Sequence, residues 1–153
     1  MTVYNRERWI EEALASVQAQ TNPHYELILW DDGSTDRTGE IAAHFAQQDP
    51  RIRHFKAEHQ GRNTALRSAH QQAEGAYLGW IDSDDRLTPA TLAATVGLLN
   101  TEPDIGMVYT DHQIIDAQGT LQGYGHRCQI PYSKDRLLVD FMTFHFRLMR
   151  RES

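Results

Sequence analysis

The sequence has few cysteines, a deficit of positive charge and no long apolar run. Its 153 residues include one cysteine, Cys128, so no disulfide can form within the chain, as is typical of a reducing compartment. No apolar stretch approaches the roughly 20 residues that span a bilayer, and the N-terminus lacks the pattern of a signal peptide. We therefore expect a cytoplasmic protein, and attachment to the periphery of a membrane stays open.

The charge balance argues against one class of partner. The chain carries 15 Lys and Arg against 21 Asp and Glu, a formal net charge of −6 at pH 7. Nucleic-acid binding draws its affinity from basic patches that contact phosphates, so we expect no nucleic-acid partner. An acidic protein that handles an anionic ligand needs a cation or local hydrogen-bond donors, which favours a metal-dependent site.

The length and the order of predicted elements indicate one domain, residues 1–153. Strands and helices alternate over the first hundred residues, which is typical of a parallel sheet with crossover helices. Strands are predicted at Glu26–Trp30, Ile52–Phe55 and Ala76–Ile81, and helices at Arg6–Gln20, Arg37–Gln48 and Gly61–Glu74, with a further helix capped by Thr88 and begun by Pro89.

The pattern changes after Pro103, where strands follow one another more closely. We predict strands at Gly106–Thr110, Leu121–Tyr124 and Phe141–Met149, and a short helix at Ser133–Val139. The fold class is therefore α/β, a mostly parallel sheet flanked by helices, with an added antiparallel element in the C-terminal third.

The most informative stretch is the acidic turn Asp82-Ser83-Asp84-Asp85, which directly follows the apolar run Ala76–Ile81. That run predicts a buried strand whose carboxyl end opens into a site. Three carboxylates this close repel one another, so stability alone would not gather them. A hard cation such as Mg²⁺ or Mn²⁺ resolves the conflict, because it prefers oxygen ligands and commonly bridges carboxylates to substrate phosphates. The pattern predicts a metal–diphosphate site; a solvated acidic turn is the alternative.

A second acidic turn, Asp31–Asp36, follows the apolar run Leu27–Trp30. Ligands of open α/β sheets bind at the carboxyl ends of the strands, so the two turns should line one crevice from two sides. Gly33 permits a tight turn, and Asp36 is placed to cap the helix that follows. Turn and cap roles explain Asp36 well and explain Asp31 and Asp32 less easily.

Five segments in order resemble the nucleotide-binding half of family 2 glycosyltransferases, which have a Rossmann-like GT-A fold. They are Val3–Asn5, Ala15–Thr21, Tyr25–Ile28, Asp31–Asp36 and Trp80–Asp85. The resemblance covers about Thr2 to Met149. It implies inverting transfer of a sugar from a nucleoside diphosphate donor, usually UDP-linked, to an acceptor hydroxyl of a saccharide or lipid-linked acceptor.

The resemblance also implies residue roles. Asp32, with Asp31 beside it, matches the group that accepts a hydrogen bond from uracil, and Thr2 and Tyr4 match nucleoside contacts. In the other acidic turn, Asp82 and Ser83 match positions that face the ribose and diphosphate. Asp84 matches the ligand of the divalent metal (Mn or Mg), with Asp82 and Asp85 beside it.

The family usually has an arginine that contacts the diphosphate. This chain has Leu66 at the aligned position, so the match departs from the family there. Arg62 or Arg67 is placed to supply a donor instead, and we take Arg62 as the candidate. A solvated helix start is the alternative for Arg62.

No catalytic residue is assigned, because the family's general base lies some tens of residues beyond the position of Met149, and we expect it beyond Ser153. We expect a chain that lacks part of the first strand and the acceptor region, binds nucleotide and metal, and turns over poorly alone. An exposed sheet edge then favours a homodimer. The alternative function is a truncated, non-catalytic nucleotide-binding or assembly module.

Other classes of site fit less well. His126 and Cys128 lack a second ligand pair at the spacing of a structural zinc site. In a phosphatase with an Asp-x-Asp nucleophile, an arginine such as Arg86 is not expected after the motif. A receiver domain requires a lysine at the end of a later strand, and this sequence has none there. A sugar-nucleotide pyrophosphorylase requires a glycine-rich basic loop, and Asn5–Arg8 is not one.

Overall fold

The computed structural model describes residues 1–130, 133 and 145–151. The first part of the chain alternates strands and helices: β1 (Thr2–Val3), α1 (Ile10–Gln18), β2 (Leu27–Asp31), α2 (Thr38–Gln48), β3 (Ile52–Lys56), α3 (Arg62–Gln72), β4 (Tyr77–Trp80) and α4 (Thr91–Thr101). The later part consists of β5 (Met107–Thr110), β6 (Gln113–Ile115), β7 (Leu121–Tyr124), a 3₁₀ turn (His126–Gln129) and β8 (His145–Arg150).

Strands β1, β2 and β3 form a parallel sheet in that order. Successive side chains of a strand point to opposite faces, and both faces of β2 are covered. Leu29 packs in a cluster that includes Leu14 of α1 and Phe45 of α2. Ile28, on the other face, packs with Ala69 of α3. The sheet is therefore sandwiched between helices.

A second sheet has the order β4-β8-β5, with both pairings antiparallel. Leu148 of β8 packs with Val108 of β5 and Leu99 of α4, all three buried. The two sheets share a core, because Ile81, just after β4, packs in the cluster that holds β1 and β2. The predicted α/β class with an antiparallel element is confirmed.

Strand β4 differs from the prediction in two ways. Its ladder partner is β8, in antiparallel orientation, so parallel pairing within the described residues is confined to β1, β2 and β3. Its residues are half-buried rather than buried. The apolar run made β4 a strand, but the choice of neighbour and the degree of burial depend on packing against β8, which lies some 70 residues away.

Several helix boundaries differ from the predicted ones. Helix α1 begins at Ile10, because residues 6–9 form a turn in which Trp9 N–H donates to the carbonyl of Arg6. Helix α4 begins at Thr91, after Thr88 and Pro89, and Thr91 N–H donates to the carbonyl of Thr88. Capping residues favour a helix start without fixing which of the adjacent turns continues into the helix.

The antiparallel hairpin of β6 and β7 confirms the returning strand at Leu121–Tyr124. The predicted helix at Ser133–Val139 lies outside the described residues except for Ser133, and so do residues 141–144 of the predicted last strand. Among the described helices, none combines the length and the apolar character that a membrane crossing requires.

The carboxyl ends of the three parallel strands lie in register at one edge of the sheet. Val3 pairs with Asp31, and Asp31 pairs with Lys56, so the three strands finish at the same height. The loops that follow them carry Tyr4, Asp32 and His59, which are therefore brought together although they are far apart in the sequence.

Candidate functional site

One cavity joins the two acidic turns at the carboxyl edge of the parallel sheet. Its volume is about 360 Å³, and Asp32 of the first turn and Asp84 of the second both line it. The other predicted residues that line it are Thr2, Tyr4, Arg62, Asp82 and Ser83. The expectation that two strand ends place carboxylates in one crevice is therefore met.

Asp31 does not line this cavity. Its side chain is fully buried, and one carboxylate oxygen, Oδ1, accepts a 2.8 Å hydrogen bond from Ser34 N–H. The other oxygen, Oδ2, has no hydrogen-bond partner among the described residues. Asp31 thus stabilises the turn from its buried side, whereas its neighbour Asp32 lines the cavity.

Asp32 is almost fully buried and is held by the loop that follows β3. Its Oδ1 accepts a 3.0 Å hydrogen bond from Gln60 N–H, and its Oδ2 accepts a 2.9 Å bond from Gly61 N–H. Nδ1 of His59 lies 2.8 Å from Oδ2 and 3.0 Å from the Asp32 carbonyl oxygen. These donors fix the carboxylate in one orientation.

His59 is a site residue that sequence reasoning missed. Its side chain is about half exposed, lines the cavity and stacks on Tyr4 with ring centroids 4.0 Å apart and an interplanar angle of 21°. The available signal was positional. His59 follows the third parallel strand, whose end meets the same edge as the ends of β1 and β2.

The first acidic turn is tied to the end of β1 by Asn5, a non-glycine residue with φ of 52°. Asn5 N–H donates to Ser34 Oγ at 3.0 Å, and its Oδ1 accepts from Thr35 N–H at 2.9 Å. Gly33 has φ of 80°, and a Cβ there would lie 2.7 Å from the backbone nitrogen of His59. Glycine is therefore required for this loop to approach the turn.

Asp36 secures the start of α2. Its Oδ1 accepts from Thr38 N–H at 3.0 Å, and its Oδ2 accepts from Glu7 N–H at 3.2 Å. Burial opposes ionisation of Asp36, but the hydrogen bonds from Thr38 and Glu7 outweigh it and lower its pKa. Helix α2 begins at Thr38 with Arg37 at its N-cap position and no side-chain cap hydrogen bond, so Asp36 holds the turn that precedes the helix and the prediction that it is the N-cap is wrong.

The second acidic turn presents exposed carboxylates beside a buried serine. Asp82 and Asp84 are exposed, whereas Ser83 is buried. Arg62 Nη2 lies 2.9 Å from Asp82 Oδ1, so a guanidinium already faces this turn. In the part of the chain that is described, no three His, Cys, Asp or Glu side chains are grouped so that they could hold a metal by themselves.

A larger cavity of about 1,060 Å³ also borders the second acidic turn. It shares Arg62, Asp82 and Asp84 with the smaller cavity and is also lined by Asp85 and Trp80. The acidic turn therefore borders both cavities. A ligand with a charged middle and two different ends fits this arrangement.

Three comparisons with known proteins agree on one family. The model of glycosyl transferase family 2 matches residues 1–153. Chondroitin synthase of Escherichia coli is 31% identical over 145 residues, 95% of this chain and 21% of that protein. The chain thus spans about a fifth of the length of this relative.

Two solved structures are also similar to this chain. The mannosyltransferase PcManGT from Pyrobaculum calidifontis, in complex with GDP-Man and Mn²⁺, has a TM-score of 0.63 and 29% identity over 75% of this chain and 34% of its own. Residues 1–349 of TarS from S. aureus, in complex with UDP, have a TM-score of 0.58 and 30% identity over 67% of this chain and 31% of their own.

Proposed function

The chain belongs to glycosyl transferase family 2, and from this premise we propose that it binds the donor of an inverting, metal-dependent sugar transfer from a UDP-linked sugar. The two solved relatives contain different nucleotides, GDP-Man in one and UDP in the other. The base used by this chain therefore depends on its own residues.

The observation that carries the proposal is the shared cavity of Asp32 and Asp84. A nucleoside diphosphate needs a base site and a charge-compensating site joined by one continuous space. Tyr4 and Asp32 at one end offer an aromatic ring and a carboxylate acceptor for the base. Asp82 and Ser83, which line the same cavity, would face the ribose and diphosphate, and Asp84 would hold the metal.

The residues at the second turn fit a divalent cation of the Mg²⁺ or Mn²⁺ type. Such ions prefer oxygen ligands and are commonly held by one or two carboxylates plus substrate phosphates. This fits a turn that offers exposed carboxylates without a complete three-residue cage in the described part of the chain. Asp84 would hold the ion with Asp82, and Asp85 would support them from the larger cavity. Bound there, the cation would stabilise the negative charge of the departing diphosphate.

Arg62 is the proposed cationic donor to the diphosphate. Its guanidinium pairs with Asp82 in an exposed contact, and exposed ion pairs contribute little stability, so Arg62 is free to turn to a phosphate at small cost. A planar guanidinium also matches phosphate geometry well.

The larger cavity would receive the transferred sugar and the acceptor, a saccharide or lipid-linked hydroxyl compound. It meets the nucleotide cavity at Asp82 and Asp84, where the sugar–phosphate bond would lie. We assign no general base among the described residues, so the inverting step rests on the family alone.

The test is calorimetric titration of the 153-residue chain with UDP, with and without Mn²⁺. We expect affinity that requires Mn²⁺ and is lost with a chelator. Asp84→Asn should weaken binding by at least about tenfold, because a charged ligand of the cation is removed.

Asp104→Asn is the matched control, because Asp104 is an exposed carboxylate that lines neither cavity. Equal affinity for UDP in Mn²⁺ and in chelator would contradict the proposal, and so would equal effects of Asp84→Asn and Asp104→Asn. A parallel assay of UDP release from a UDP-sugar tests turnover, which we expect to be slow for this chain alone.

A further inference from the structure

We infer that the larger cavity takes an acceptor that carries an anionic group, a carboxylate or a phosphate, and that Arg67 and His70 of α3 bind this group. The inference rests on the proposed function, in which the larger cavity receives the acceptor, and it adds the chemical class of that acceptor. Both side chains line the larger cavity, and neither lines the nucleotide cavity.

Helix α3 is basic in a chain that is acidic overall. Aspartate and glutamate outnumber lysine and arginine by 21 to 15 in the chain, yet α3 contains no carboxylate and carries Arg62, Arg67 and His70. A solvated helix face usually mixes both signs of charge, because pairs three or four residues apart stabilise the helix. Helix α3 has no such pair, so its basic side chains can be neutralised only by groups outside the helix.

The basic side chains of α3 project into the larger cavity. The α3 residues that line it are Arg62, Leu66, Arg67 and His70. Ala65 and Ala69 are the buried residues of the helix and hold it against the core. The fold therefore turns a face with positive charge toward the space assigned to the acceptor.

The basic residues of α3 differ in their partners. Arg62 Nη2 lies 2.9 Å from Asp82 Oδ1. Arg67 and His70 are exposed, and their side chains make no ion pair or hydrogen bond with any other residue in the described part of the chain. Four carboxylates line the same cavity, those of Asp82, Asp84, Asp85 and Asp111, and none of them pairs with Arg67 or His70. Both side chains are therefore available to an anionic ligand.

The position of these side chains along α3 assigns the anionic group to the acceptor. An α-helix rises 1.5 Å per residue, so Arg67 and His70 lie about 7 Å and about 12 Å along the axis from Arg62. Arg62 contacts the acidic turn, where the sugar–phosphate bond would lie. The carboxylates of that turn would repel a second anion beside them, and a group near His70 is farther from them. The diphosphate of the donor would stay at the turn.

The chemistry of Arg67 favours an anion over a neutral hydroxyl group. A guanidinium is planar and donates two parallel hydrogen bonds to a carboxylate or a phosphate. Hydrogen bonds between charged partners are roughly twice as strong as neutral ones. Leu66 and Trp80 line the cavity beside the basic residues and limit the access of water, which strengthens such bonds further.

The experiment compares two pairs of probes, each titrated into the 153-residue chain in the presence of saturating UDP and Mn²⁺ and followed by calorimetry. Methyl β-glucuronide and methyl β-glucoside test a saccharide carboxylate, and geranyl phosphate and geraniol test a lipid phosphate. We expect the anionic member of at least one pair to bind at least about tenfold more tightly than its neutral counterpart. The pair that shows the preference identifies the source of the anionic group.

Substitutions on α3 test which residue holds the anion. Arg67→Gln removes the charge and should lose most of the preference, whereas Arg67→Lys keeps the charge without the planar fork and should retain part of it. His70→Gln should lose a smaller part than Arg67→Gln. Arg37→Gln is the matched control, because Arg37 is exposed and lines neither cavity. The thermal midpoint of each variant is measured alongside.

The outcomes separate this inference from the proposed function. Binding of UDP that requires Mn²⁺, with no preference for the anion in either pair, overturns the inference and leaves the proposed function in place. The inference also fails if Arg67→Gln keeps the full preference, because the bound Mn²⁺ then holds the anion, or if Arg37→Gln loses as much as Arg67→Gln. Weakening of UDP by Arg67→Gln as strong as that by Arg62→Gln would place Arg67 at the diphosphate and overturn it too. Failure of the unsubstituted chain to bind UDP overturns both.

Discussion

At the scale of single residues, Asp31 and Asp32 are neighbours whose carboxylates have opposite surroundings. Asp31 is buried beneath the turn and accepts a hydrogen bond from Ser34 N–H. Asp32 lines the cavity and accepts a hydrogen bond from the loop that follows β3. Adjacent side chains at a strand end point to opposite faces, so only one of an acidic pair reaches a ligand directly. The sequence identified the pair, and the structure distinguished its members.

Gly33→Ala should strongly destabilise the protein and disturb the site. Gly33 has φ of 80°, and the new Cβ would lie 2.7 Å from His59 N, so the backbone of the loop must shift. We expect the free energy of unfolding in urea to fall by more than about 1 kcal/mol, with weaker UDP binding.

Gly61→Ala is the matched control for this prediction. Gly61 also has a positive φ, 90°, but a Cβ there meets nothing within 4 Å. Its substitution costs backbone strain without a collision and should destabilise less. Equal losses for the two variants would show that the contact between Gly33 and the His59 loop is unimportant.

At the scale of elements, apolar patterning predicted strands and helices well but did not predict their partners. The run ending at Ile81 does form β4, yet β4 pairs with β8 rather than extending the parallel ladder of β1, β2 and β3. Helices α1 and α4 begin a few residues later than predicted, because a turn precedes the first helical residue of each. Periodicity reports which face is buried, and pairing depends on residues far along the chain.

Gly97→Ala should stabilise the protein. Gly97 lies within α4, is exposed, and a Cβ there meets nothing within 4 Å. Alanine restricts the unfolded chain and favours the helix by roughly 0.5–1 kcal/mol, which urea unfolding resolves.

Gly79→Ala, in β4, is the comparison substitution. A Cβ at Gly79 would lie 3.1 Å from atoms of both Leu148 and Phe146, so it should destabilise through crowding of β8. A stabilising effect at Gly79, or a loss at Gly97, would contradict the packing between these elements.

At the scale of the whole molecule, burial is uneven. Strand β2 is covered by helices on both faces, and Leu29 is fully buried. The β6–β7 hairpin exposes large apolar side chains, Ile114, Leu121 and Tyr124 among them. Isolated two-stranded hairpins are marginally stable in water. Stability should therefore be concentrated in the parallel sheet that carries the site.

Hydrogen–deuterium exchange should reveal this difference. We expect the amides of β2 to be the slowest to exchange and those of β6 and β7 to be among the fastest, because local opening of the hairpin exposes little buried surface. Mass spectrometry of peptic fragments measures both regions in one experiment. Protection of the hairpin equal to that of β2 would show that its apolar face is covered, for instance in the predicted homodimer, which stays untested.

The sequence by itself determined the α/β class, the two acidic turns, the expectation that they share a crevice, and the resemblance to family 2 glycosyltransferases. These follow from local order along the chain, because apolar runs, turn residues and motif spacing act over a few residues. Tertiary structure alone decided that Asp32 rather than Asp31 lines the cavity, that His59 holds it, and that β8 lies between β4 and β5. The physical reason is separation: His59 meets a residue 27 positions away, and β8 pairs with a strand some 70 positions away. Such contacts form only when whole elements pack, so no local pattern specifies them.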